Sequence, residues 1–131
     1  MSPSRCWIVW DKGNDGNNFA DAELAWTSFD KGVKMYRHRW NGLIREGDRK
    51  SEGVTRVHPT QKPVGLFGRI IADYSETGAS VLDVFGGSGT TMIACEQTGR
   101  KCYMMELDPY YIDVIIDRWE KFTGKKAVKL N

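Results

Sequence analysis

At 131 residues, with 40% hydrophobic and 27% charged residues, the chain has the proportions of one globular domain and little room for a second. No apolar run approaches the roughly 18 residues of a membrane span, the N-terminal stretch has no signal core with a cleavage site, and Cys6, Cys95 and Cys102 form no C-x-x-C pair. These features predict a soluble, cytoplasmic chain with free thiols, no membrane partner and no metal. The formal net charge of +2 hides a segregation: residues 31–62 hold nine Lys/Arg against three acids, whereas residues 1–30 sum to −3 and residues 63–131 to −1.

"CWIVW" (6–10) is a short aromatic and β-branched run ended by the turn-formers of "DKGNDGNN", which predicts a buried strand and a loop. "ELAWTSF" (23–29) and "VKMYRHRW" (33–40) are separated by a short connection, "DKG", suited to closing a hairpin. The basic block, interleaved with Tyr36, His38 and Trp40, suits a polyanion through phosphate neutralisation and base stacking, and equally a solvated surface loop. Arg37, Arg39, Arg45 and Lys50 are the candidates for nucleic-acid contacts. The glycines and charges of residues 41–57 show no period and predict a loop.

"HPTQKPVGLFGRIIADYSETG" (58–78) settles into the helical spacing Leu66, Ile70, Ile71, Tyr74 and predicts a helix stopped by Gly78. "SVLDVF" (80–85) is a strand carrying one acid, followed by a glycine turn, a helix closed by Gly99, the strand "KCYMMEL", a helix over "DPYYIDVIIDRWEKFTG" and a last strand in "KKAVKL". From residue 80 the order is β-α-β-α-β, which predicts a parallel sheet covered by helices.

The strongest signal is "VLDVFGGSGTT" (81–91), a strand that turns through glycines into a helix. Glycines let backbone approach a ligand closely, and the helix start offers free N–H groups, so a nucleotide-like cofactor belongs at this strand end. Glu106 ends the next strand, 23 residues after Asp83, a placement suited to accepting hydrogen bonds from ribose hydroxyls. A dinucleotide fingerprint fails at Met92, and no Lys in the turn supports a phosphate loop. Asp83 would repel phosphate and favours a cationic group such as that of S-adenosylmethionine.

These residues resemble the β class of DNA amino-methyltransferases, which act on adenine-N6 or cytosine-N4. "HPTQKP", "DVFGGSGTT" and "MELDP" are similar to that family's pre-strand motif, cofactor loop and ribose-binding acid, and the resemblance spans roughly residues 55–124. "CWIVWDK" and "ELAWTSF" more weakly resemble strands of the catalytic half. The resemblance implies an α/β, three-layer Rossmann-like methyltransferase fold in one domain: residues 1–30 from the catalytic half, 31–57 target recognition, 58–131 cofactor binding. It implies S-adenosylmethionine as cofactor and double-stranded DNA as partner. Asp83, Phe85, Gly87, Ser88, Gly89 and Thr90 would surround the methionine part, Glu106 would hold the ribose, and Thr60, Gln61 and Lys62 would close the pocket. The last three also suit a plain helix start, with Thr60 as cap and Pro63 in the first turn.

"DPYY" (108–111) comes within one residue of the family's [Asp/Asn/Ser]-Pro-Pro-aromatic catalytic tetrapeptide, which holds the amine of a flipped base. Its place after Glu106, and Tyr110 for the second proline, instead fit a helix start with Asp108 as cap and Pro109 as first helical residue. No Pro-Pro pair occurs in the sequence, so no catalytic residue is assigned and the isolated chain is expected to be inactive. The strand that should carry the tetrapeptide is expected to be missing, leaving an incomplete sheet whose gap is filled by a complementary methyltransferase chain or by a homodimer. Two alternatives are a non-catalytic protein binding S-adenosylmethionine or DNA, and an amine acceptor drawn from Asp11, Asn14 or Asn17, residue types that more commonly make turns.

Overall fold

The computed structural model describes residues 3–16, 18–41, 44–47, 52 and 61–130. The chain divides into two compact units, Met1–Glu46 and Gly47–Asn131.

In the first unit β1 (Trp7–Asp11) runs between β2 (Ala22–Trp26), antiparallel to it, and β3 (Lys34–Arg37), parallel to it. The expected hairpin between residues 23–29 and 33–40 does not form, because both segments pair with β1 instead. The reason lies in apolar content: Ile8 and Trp10 are buried, whereas no side chain of β2 is, so the strand with most to bury takes the centre. The connection returns past the start of β1, where the Thr27 hydroxyl donates to the Cys6 carbonyl at 2.6 Å. β4 (Trp40–Asn41) and β5 (Ile44–Arg45) form a short antiparallel ladder.

The aromatic block behaves differently from its sequence reading. Tyr36 and His38 are buried, and Trp10 Nε1 donates to the His38 carbonyl at 2.8 Å. Neither ring is available to stack on a base, because both are turned into the interior. The opposite face of the sheet carries the cross-strand pair Trp7 and Trp26 and the row Leu24, Val9, Met35, of which Leu24 and Met35 are 68% and 63% exposed.

The second unit contains α1 (Val64–Tyr74), β6 (Ser80–Asp83), α2 (Thr90–Thr98), β7 (Lys101–Met104) and α3 (Pro109–Thr123). β6 and β7 are parallel with Asp83 opposite Met104. Val64, Ile93 and Ala94 form the core, packed against Phe67, Ile71, Trp119 and Phe122, so α1 and α3 both bury their apolar stripes on α2. On the sheet, Leu82 and Tyr103 point away from the helices and are exposed. α1 ends at Tyr74, ahead of Gly78, where the Ser75 hydroxyl bonds back to the Ile71 carbonyl. The last strand expected in "KKAVKL" does not form: Lys126 and the Ala127 amide both bind the Glu120 carboxylate, holding the segment to the end of α3 instead of to a strand. No helix among the described residues is long and apolar enough to cross a membrane.

For Cys95 on α2 and Cys102 on β7, burial dominates: it pushes the Cys102 thiol up to about 12, reinforced by the neighbouring Cys95. Burial also raises the Cys95 thiol. Because the thiolate is the nucleophile, an aromatic disulfide reagent at pH 8 should label these two residues more than about a hundredfold more slowly in the native chain than in denaturant. Equal rates in the two states would contradict this environment.

Candidate functional site

β6 delivers Asp83 to the edge of a cavity of about 450 Å³, within the range that holds small-molecule ligands. Both Asp83 oxygens are engaged locally: Oδ1 accepts from the Phe85 amide at 2.9 Å and Oδ2 from the Thr91 hydroxyl at 2.6 Å. These bonds tie the strand end to the first turn of α2 and shape the glycine turn between them. Gly86 makes this possible, since a Cβ there would lie 2.8 Å from Met104 Cγ and Sδ. Gly89 begins α2 with φ +79°.

Glu106 stands across the mouth. Its Oε2 accepts from the Gly87 amide at 2.7 Å, and its Oε1 from the Leu107 and Asp108 amides at 2.9 and 3.0 Å. One carboxylate thus joins the end of β7 to the glycine turn. On the third side the Thr90 hydroxyl donates to the Lys62 carbonyl at 2.8 Å, and buried Gln61 donates to the Glu52 carbonyl at 3.1 Å.

Gln61, Lys62, Asp83, Phe85, Gly87, Ser88, Thr90 and Glu106, all picked from sequence, line this one cavity. Gly89 does not line it; it lies behind the turn against Ile115 as the helix cap. Thr60 falls outside the described residues. Sequence reasoning did not assign Phe67, Val84, Gly86, Thr91 and Leu107 to the lining, nor Glu52 and Arg118 behind it. Two carboxylates and the apolar Phe67, Phe85 and Leu107 favour a ligand with hydroxyls, a cationic group and a flat apolar part. They disfavour a phosphate, which the two acids would repel.

The DNA methylase family, comprising N6/N4 amino-methyltransferases, matches residues 17–117, well over half of the chain. The chain belongs to this family. Among curated relatives, the type II methyltransferase M2.LlaDCHI of Lactococcus lactis subsp. cremoris is 32% identical over 116 residues, covering 87% of this chain and 41% of the relative. The type II methyltransferase M2.MboI of Moraxella bovis is 28% identical over 135 residues, covering 88% of this chain and 50% of the relative. The chain therefore spans half or less of the length of these relatives. Among solved structures, the M1.HpyAVI–SAM complex aligns with a TM-score of 0.61 at 24% identity, over 86% of this chain and 60% of that one. TTHA0409 of Thermus thermophilus, complexed with S-adenosyl-L-methionine, aligns with a TM-score of 0.56 at 22% identity, over 95% and 56%. These likenesses show the fold, an α/β Rossmann-like methyltransferase architecture, present here in part.

Within this DNA methylase family member, "DPYY" is a helix start. The Asp108 carboxylate accepts from the Tyr110 amide at 2.9 Å, and Pro109 is the first residue of α3. Of the basic candidates, Arg37 is exposed but its Nε donates to Asp11 Oδ2 at 2.7 Å. The Asp11 carboxyl is held below its ordinary range, first by the Gly13 amide and then by Arg37. Arg39 is exposed, with its backbone amide on Glu46 Oε2. Arg45 lies in β5, and Lys50 is outside the described residues. As for the alternative amine acceptors, Asp11 is the partner of Arg37, and Asn14 is buried and donates to the Ala20 carbonyl at 2.7 Å, so both shape the loop. Asn17 lies outside the described residues.

Proposed function

We propose that the chain binds S-adenosylmethionine and forms the cofactor-binding and target-recognition portion of an amino-methyltransferase acting on adenine-N6 or cytosine-N4 of double-stranded DNA. The observation that carries this reading is the convergence of Asp83, Glu106 and the glycine turn on one cavity backed by apolar side chains. In this assignment Glu106 accepts hydrogen bonds from the ribose hydroxyls, and Asp83 faces the cationic methionine end through the turn it organises. Phe67, Phe85 and Leu107 shield the base, and Gln61 and Lys62 close the side near α1. The bound cofactor supplies an electrophilic methyl group. Arg39, Arg45, Lys50 and the partly neutralised Arg37 contribute phosphate contacts.

Methyl transfer also needs a group that accepts hydrogen bonds from the target amine, and no Pro-Pro tetrapeptide occurs in these 131 residues. That group comes from outside them, and a complementary methyltransferase segment is the source we infer. A homodimer would cover exposed surface without supplying the chemistry, because a second copy lacks the same tetrapeptide. Support comes from the exposed apolar sheet surface of each unit, Leu24 and Met35 in one, Leu82 and Tyr103 in the other, since faces of this kind are covered in assembled α/β sheets.

Calorimetric titration of the purified chain with S-adenosylmethionine tests the reading. Saturable binding is expected, with Asp83→Ala weakening it about tenfold or more, the order of one charge-assisted interaction. Lack of saturable binding by the wild-type chain would sink the cofactor assignment. Methyl transfer to duplex DNA by the chain alone would sink the need for a complementary segment.

A further inference from the structure

Two charged residues outside the cavity hold its walls together. Glu52, 5% exposed, spans the start of α1: its Oε2 accepts from the Val64 amide and its Oε1 from the Gly65 amide, both at 2.9 Å. The local sequence provides no such partner, since the cap residue is Pro63 and the first turn has no acid. The Glu52 carboxylate therefore satisfies amides that would otherwise lack acceptors and places negative charge at the positive end of the helix dipole. Its backbone carbonyl accepts from buried Gln61.

Arg118, partly buried on α3, reaches the other wall. Its guanidinium donates to the Ser88 carbonyl at 2.9 Å and the Ser88 hydroxyl at 3.3 Å, and lies 3.5 Å from the Thr90 hydroxyl. Thr90 in turn donates to the Lys62 carbonyl. Burial lowers the Arg118 proton affinity, and the charge of Glu52 acts against that loss. The contacts run from Glu52 through the α1 start and Lys62 to Thr90, and from Arg118 to Ser88 and Thr90.

We propose that Arg118 and Glu52 are positioning residues: from behind the cavity they hold the glycine turn and the Gln61–Lys62 wall in their ligand-ready arrangement. The assignment rests on the cofactor-pocket reading for its ligand, but the loop geometry can be measured without one. Neither residue lines the cavity, so each acts through the backbone it holds.

The test combines hydrogen–deuterium exchange on the free chain with titration by S-adenosylmethionine. In Arg118→Ala the amides of Gly86, Gly87 and Gly89 should exchange about tenfold faster or more, while those within α1 and α2 keep wild-type rates. Cofactor affinity should fall about tenfold, and Arg118→Lys, which keeps the charge and one donor group, should recover most of the loop protection. Glu52→Gln should loosen the α1 start and the turn together, and combining it with Arg118→Ala should add less than the sum of the two effects. Unchanged exchange in the turn would overturn the proposal, as would uniform acceleration across the helices, which marks a stability role only. A wild-type chain that binds no cofactor while its turn responds to these variants would support the positioning role and overturn the cofactor reading instead. If Arg118→Ala does not fold, Arg118→Gln, which removes the charge but keeps a donor, and Glu52→Gln carry the same comparison.

Discussion

Glu106→Ala should lower the affinity for S-adenosylmethionine by about a hundredfold or more, the largest effect on binding of any single substitution in the cavity. Two consequences combine. In the proposed complex the carboxylate accepts hydrogen bonds from both ribose hydroxyls, and hydrogen bonds to a charged group contribute about 1.5–3 kcal/mol each. In the free chain the same carboxylate already accepts from the Gly87, Leu107 and Asp108 amides, so its removal also frees the glycine turn from the end of β7. Glu106→Gln separates the two, because its amide oxygen still accepts while its nitrogen opposes one set of donors. The isosteric variant should therefore bind more tightly than Glu106→Ala and more weakly than wild type. Titration of the three proteins checks the order. Wild-type affinity in Glu106→Ala would place the ligand away from the end of β7 and remove the ribose assignment.

The cavity was legible in the sequence because its chemistry is local. A strand, a glycine turn, a helix and a second strand followed two residues later by an acid bring Asp83, Ser88 and Glu106 to one end of the sheet. Asp108 and Pro109 were readable for the same reason, since capping involves neighbours a few residues apart. What escaped depends on contacts between distant segments. The placement of β1 between β2 and β3 follows from the relative apolar content of three strands, which no single run reveals. "KKAVKL" forms no strand because Glu120 offers Lys126 and Ala127 a hydrogen-bonding partner within reach of the helix end. Glu52 caps a helix that starts 12 residues later, beyond the span of any capping signature, and Arg118 looks like one more surface cation among Asp117, Glu120 and Lys121. Tyr36 in β3 and His38 just after it show the same limit: the sequence places them among basic residues, and only the fold turns them inward.

Gly89→Val should cost roughly 3–5 kcal/mol of stability, through backbone strain of about 1–3 kcal/mol and overpacking of a similar size. Gly89 holds φ +79°, a region that a β-branched residue resists most strongly, and it caps the helix that carries Ile93 and Ala94 into the core. Even a single Cβ would lie 3.2 Å from Ile115 Cγ1 and Cγ2 and 3.5 Å from Ile115 Cα, and Ile115 is itself buried on α3. The two costs share no relief: rotating the backbone to a negative φ would pull the Gly89 amide away from the Gly86 carbonyl, which it meets at 2.9 Å, and would unwind the turn that Arg118 and Glu106 hold. Gly89→Ala should cost less, since one methyl asks Ile115 to yield by only a few tenths of an ångström, yet it keeps the φ penalty. Denaturant unfolding of the two variants measures the difference. Because Gly89 lies behind the cavity and not in its lining, the folded fraction of Gly89→Ala should retain cofactor affinity close to wild type. A variant that unfolds at the wild-type midpoint but fails to bind would instead mean that this glycine is needed for close approach of the ligand, as the sequence first suggested, and not for the start of the helix.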